Sequence, residues 1–169
     1  YLPPPSPLQA ALDRCSIGED VNLDLMPGSH LLEGHPLTVA GPCTVRVRGP
    51  GAVLDAQSLS RLFTVSRGAS IAVEDLTLRN GREVTQQMAI GGGAICVTNG
   101  NLSLTNVTII NCVVDSTFDA SGGAVLVEGT SHVSVSGCTF KDCRVASSGL
   151  ADAGALAILG ASHAVITAS

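Results

Sequence analysis

The sequence predicts an all-β chain wound as a solenoid of about 31 residues per coil, and three observations carry that expectation. The first is a repeat: Ile71-Ala72-Val73, Leu102-Ser103-Leu104, Val133-Ser134-Val135 and Ala164-Val165-Ile166 recur at a constant offset of 31. Leu76-Thr77-Leu78, Val107-Thr108-Ile109 and Cys138-Thr139-Phe140 keep the same offset, and equivalent segments at one period mean equivalent units stacked on one another. The second is alternation of apolar with small polar residues inside each unit, which is the period of a strand. The third is composition: 45% of residues are hydrophobic but only 2% aromatic, an aliphatic filling suited to close-stacked strands.

Residues 1–14 read as a proline-rich lead-in, Tyr1-Leu2-Pro3-Pro4-Pro5-Ser6-Pro7, with at most a turn of helix near residues 8–14. The solenoid is assigned to residues 15–169. It opens on Val21-Asn22-Leu23-Asp24-Leu25, Leu37-Thr38-Val39, Val45-Arg46-Val47 and Val53-Leu54, broken by Gly and Pro. These first coils are less regular than the later ones, as terminal repeats are. From Phe63-Thr64-Val65 the register is clean, through Ile95-Cys96-Val97, Val125-Leu126-Val127 and Leu156-Ala157-Ile158. A glycine–alanine step introduces three of these strands: Gly92-Gly93-Ala94, Gly122-Gly123-Ala124 and Gly154-Ala155. Glycine there lets backbones approach closely. The last coil, residues 155–169, has two strands without a corner or a polar cap, and the sequence reads as a fragment whose open edge pairs with further coils or another chain.

Asn80, Asn111 and Asp142 recur at a polar corner, where stacked side chains can bond to each other and to turn amides. Residues 81–90, 112–121 and 143–153 vary in kind and read as loops leaving one edge. They make Arg82, Asp115, Phe118, Asp119, Arg144 and Asp152 the candidate binding edge. Cys112 and Cys143 stand one repeat apart. Strand spacing of about 4.8 Å falls within the reach of a disulfide, so a Cys112–Cys143 staple is expected. A Cys15–Cys43 bridge is expected on weaker grounds, and Cys138 reads as a buried thiol; six buried thiols is the alternative. Asn101-Leu102-Ser103 and Asn106-Val107-Thr108 are glycosylation sequons.

Several functions are disfavoured. The net charge of −5, with eight arginines and one lysine, offers no basic patch for nucleic acid. No apolar run is long enough for a membrane helix. No Cys/His spacing suggests zinc, and no metal or cofactor is expected. His132 and His163 stack one coil apart and read as turn residues. Glu74 and Asp75 point to opposite faces of their strand and lack carboxylate equivalents in later coils, so no paired-carboxylate site forms.

Gly92-Gly93-Ala94-Ile95 and Gly122-Gly123-Ala124-Val125 resemble the GGA[I/V/L] element of polymorphic outer membrane protein (Pmp-type) repeats. Ile109-Ile110-Asn111-Cys112 and Phe140-Lys141-Asp142-Cys143 stand where that family has FxxN, matching it incompletely. Gly51-Ala52-Val53-Leu54-Asp55 followed by Phe63-Thr64-Val65 resembles the opening coils of pectin-lyase-like proteins. The resemblance covers roughly residues 35–169 and implies a right-handed single-stranded parallel β-helix, extracellular or at the cell surface, with an adhesive or structural role. The lead-in resembles proline–serine linkers of green-algal and plant wall glycoproteins, which implies secretion and contact with cell-wall or matrix glycans. A pectin-lyase-type polysaccharide enzyme and a carbohydrate-binding module on the loop edge are the alternatives.

Overall fold

The computed structural model describes residues 6–85, 90–160 and 163–167; the first five residues of the lead-in, residues 86–89 of the first expected loop and Ser162 lie outside them. The chain is all-β apart from its start, and every paired strand runs parallel to its neighbour. Sheet 1 stacks Val21–Asp24, Thr44–Arg48, Ser70–Glu74, Asn101–Thr105, His132–Ser136 and His163–Thr167. Sheet 2 stacks Gly28–Leu31, Ala52–Asp55, Thr77–Arg79, Thr108–Ile110 and Thr139–Lys141. Sheet 3 (Arg82–Thr85, Val113–Ser116, Arg144–Ser147) and sheet 4 (Ile90–Gly91, Ala120–Ser121, Ala151–Asp152) follow in chain order. Sheet 5 stacks Leu37–Ala40, Phe63–Ser66, Ile95–Thr98, Val125–Glu128 and Leu156–Leu159.

The chain visits the sheets in a fixed order and then returns to sheet 1. There Val21 pairs with Val45, Val45 with Ile71, Ile71 with Leu102, Leu102 with Val133 and Val133 with Ala164. The first two returns, Val21 to Val45 and Val45 to Ile71, are shorter than the three equal ones that follow. The two short passes go from sheet 2 directly to sheet 5; the long ones detour through sheets 3 and 4. Segments 81–90, 112–121 and 143–153 are thus largely paired strands rather than loops. Their strands pair in register from pass to pass, so backbone groups meet whatever the side chains are.

Alternation decides what is buried. Ile71 and Val73 face inward and Ala72 outward, and their equivalents in each pass do the same. Inward rows of sheets 1, 2 and 5 fill one aliphatic core, including Val73 and Leu104, Leu54, Leu78 and Ile109, and Phe63, Ile95 and Val125. Each such side chain contributes about 1.5–3 kcal/mol on burial. Outward residues Cys96, Leu126 and Ala157 of sheet 5 form a second, small cluster, with sheet 4 at Gly91 lying close to Leu126.

The detour leaves and rejoins the body through a narrow neck, which explains the glycine–alanine step. A methyl at Gly93 would stand 2.7 Å from the Val113 carbonyl oxygen, and one at Gly123 2.6 Å from the Arg144 carbonyl carbon. Outgoing and returning backbones touch there, so only glycine fits.

Residues 7–14 are more than a lead-in. Ser6 caps a short helix, Pro7–Leu12, by accepting from the Gln9 amide at 3.1 Å, and Pro7 occupies its first position. A 3-10 turn, Asp13–Ile17, follows. Leu12 and Cys15 are fully buried in the main core, so this segment is a lid on its first end.

Candidate functional site

The two ends of the stack differ, and the second is the candidate site. Sheet 1 ends on His163–Thr167 and sheet 2 on Thr139–Lys141, each with a strand neighbour on one side among the described residues. Along the inward row of sheet 1, Val73, Leu104 and Val135 are buried, but Ile166 is 61% exposed. Phe140, Leu156 and Ile158 are partly buried against the same core. This end therefore presents apolar side chains beside strands that have a described strand neighbour on one side only, the arrangement that recruits another strand. Cys138, expected to be buried, is half-buried for the same reason: its equivalents Leu76 and Val107 are covered by a following pass.

The corner ladder is bonded between Asn80 and Asn111, and Asp142 shares their backbone conformation. Asn80, Asn111 and Asp142 all take left-handed backbone angles, with φ of 55°, 54° and 53°, a conformation asparagine and aspartate tolerate through local hydrogen bonds. Asn111 Nδ2 donates to Asn80 Oδ1 at 2.9 Å, and Asn80 Nδ2 donates to Asp55 Oδ1 at 2.9 Å. Asp55 is a rung that the repeat period does not reveal, because it belongs to a shorter pass. Arg79 Nε donates to its other oxygen at 2.8 Å. Burial alone would push the Asp55 carboxyl up, but hydrogen bonds from Asn80, the Gln57 amide and Arg79 outweigh it and hold the group below its ordinary value.

The sequon asparagines differ. Asn101 is half-buried and engaged at both amide atoms: Nδ2 donates to Ser70 Oγ at 3.0 Å, and Oδ1 accepts from the His132 amide at 3.1 Å. Asn106 is exposed at a corner and donates to Asp75 Oδ1 at 3.1 Å.

The expected binding edge does not gather its charges into one site. Arg82 pairs with Asp115 at 2.7 Å across adjacent passes of sheet 3. Asp119 Oδ1 instead accepts from the Leu150 amide at 2.8 Å, tying one turn to the next. Asp152 is exposed in sheet 4, Arg144 is exposed at the start of its strand, and Phe118 is 45% exposed. Glu74 is held by Arg46 at 2.6 Å. Among the described residues no three histidine, cysteine or acidic side chains come together as a metal site. The His132 and His163 rings, at the starts of adjacent strands of sheet 1 and not in turns, have centroids 6.1 Å apart and are tilted by 54° to each other. They border a shallow groove of about 400 Å³ on the outer face of sheet 1, shared with Ser70, Ala72, Asn101 and Ser103.

Sequence reasoning missed one buried ion pair. Arg61, almost wholly buried, reaches Glu83 of sheet 3 at 2.9 Å and ties the detour to the body. Arg61 precedes the strand Phe63–Ser66 and Glu83 lies in sheet 3, at a spacing unrelated to the repeat, so no periodicity signals them.

Cys15 and Cys43 are joined, with Cα atoms 5.2 Å apart. Cys112 and Cys143 stack as expected, but both are free thiols; the expected staple is not formed in this structure. Cys112 is fully buried and Cys143 half-buried, and the two side chains are within hydrogen-bonding reach. That contact holds the Cys143 thiol down to about 7, and together with burial it pushes Cys112 up. Burial also raises Cys96.

No helix among the described residues is long and apolar enough to cross a membrane. In comparisons with known proteins, no family model, no curated protein and no solved structure matches the chain.

Proposed function

We propose that this chain is a segment of a right-handed parallel β-helix, secreted or held at a cell surface, that serves a structural, adhesive or assembly role. Its working surface is the uncovered end, and the occupant of that end is another coil with parallel strands in the same register. The observation that carries the reading is Ile166, exposed where the equivalent Val135 is buried. Burial of that row by one more coil would contribute about 25 cal/mol per Å² of apolar surface, and strand pairing would satisfy the edge groups. The Cys15–Cys43 bridge fits an oxidising compartment. Ion pairing of Glu74 and Asp115 with arginines supports a scaffold over a catalytic reading.

Size-exclusion chromatography with light scattering, on the chain with and without residues 1–5, tests this. Association that rises with concentration and is lost in Ile166→Lys is expected. A strict monomer whose residues 163–167 are protected from hydrogen exchange would overturn the reading.

A further inference from the structure

The stacked thiols carry an inference about the chain with its last described pass uncovered, the state in which Cys143 keeps its exposure. Val113 and Arg144 are register partners in sheet 3, and the Arg144 amide donates to the Cys112 carbonyl at 3.0 Å. The residues just before them, Cys112 and Cys143, are therefore held one above the other across adjacent passes. Neighbouring strands are about 4.8 Å apart, inside the Cα range of a disulfide, roughly 4.4–6.8 Å. Their accessibility is unequal. Cys112 is sealed in the core beneath the last pass, whereas Cys143 belongs to that pass and retains exposure. Cys96, by contrast, is a buried thiol beside Arg61, without a second cysteine on its adjacent strands Phe63–Ser66 and Val125–Glu128.

We propose that Cys143 and Cys112 form a thiol–disulfide exchange site for a low-molecular-weight disulfide such as glutathione disulfide, with Cys143 attacking and Cys112 resolving. In the first step the Cys143 thiolate attacks one sulfur of the small disulfide. Its S–S bond breaks, a Cys143 mixed disulfide forms, and one small thiolate leaves and takes up the proton that Cys143 lost. In the second step Cys112, as thiolate, attacks the Cys143 sulfur, and the second small thiol departs with the Cys112 proton. Two protein thiols are oxidised to one disulfide and one small disulfide is reduced to two thiols. The depressed Cys143 thiol suits the attacking role, and the product staples the last two passes.

The test uses the full chain with Cys15–Cys43 intact, incubated in glutathione redox buffers, then alkylated and peptide-mapped. In the wild type, Cys112 and Cys143 are expected to lose alkylation together and appear as one cross-linked peptide. Cys112→Ser and Cys112→Ala are expected to trap the glutathione adduct on Cys143, at least about tenfold faster than any adduct on Cys96. Cys143→Ser is expected to leave Cys112 unmodified. Far-UV circular dichroism during thermal unfolding checks that each variant is folded. A wild type that keeps both thiols free under oxidising buffer overturns the proposal. So does an unresolved adduct in the wild type, or equally fast modification of Cys112 in Cys143→Ser.

Discussion

The first end of the stack is closed by three independent devices, and the last described end by none of them. At the first end, Gln9 of the capping helix meets the backbone of Thr38 twice. Its Nε2 donates to the Thr38 carbonyl at 3.1 Å and its Oε1 accepts the Thr38 amide at 2.8 Å, standing in for a missing strand. Leu12 plugs the core, and the Cys15–Cys43 bridge pins the lid to the sheet. Asp20 Oδ1 adds a bond from the Thr44 amide at 2.7 Å. At the last described end, Ile166 occupies a core position and is not covered by any of the described residues. The same inward row is thus buried at one end and exposed at the other. Covering, rather than sequence, decides which.

Opening the Cys15–Cys43 bridge should have the largest effect on this contrast. Its partners have a sequence separation of 28, and a loop of that length corresponds to about 3.5 kcal/mol in the chain-entropy view. Denaturant unfolding of Cys15→Ser/Cys43→Ser should show a loss of that size; a change under about 1 kcal/mol would mean the helix holds the lid alone. Next comes a matched pair of truncations. Leu12→Ala is expected to cost about 3 kcal/mol, the usual range for a buried leucine, whereas Ile166→Ala should cost under about 0.5 kcal/mol in the dilute chain. Equal costs in the two variants would remove the asymmetry on which the proposed function rests.

The last pair of variants concerns the neck. Gly92 and Gly122 take φ of 74° and 66°, and the third copy places Ala153 there at φ 48°. Ala153→Gly should therefore stabilise the chain by about 1 kcal/mol by relieving a left-handed alanine. Gly122→Ala should destabilise it by about 2 kcal/mol or more, because the added methyl would collide with the Val125 carbonyl. Thermal unfolding of the two variants reads both signs, and shifts in the same direction would refute the account of the neck.

The parallel strands and the stacked asparagines were legible because they rest on side chains that alternate and recur. Ile71, Leu102 and Val133 announce their equivalence by aliphatic character and spacing alike. The detour strands were not legible, since the register position of Arg82, Val113 and Arg144 switches between charged and apolar from pass to pass. Backbone pairing aligned them, and backbone leaves no trace in composition. The Gln9–Thr38 cap and the Arg61–Glu83 pair were hidden for a different reason. Each joins residues that occur once, so periodicity could neither suggest nor exclude them. For the cysteines, spacing identified the stack but not its oxidation state.

Unequal pass lengths have a consequence for how the chain can vary. The short early circuits and the long later ones all advance sheet 1 by one strand. The stack therefore counts circuits, not residues, and extra chain is stored sideways without altering the pitch. A neck of touching glycine backbones acts as a gate on that side branch. Sequence beyond it can lengthen, shorten or change character while the core keeps its register, which makes the outer tip of the branch the natural place for new surface chemistry to be written.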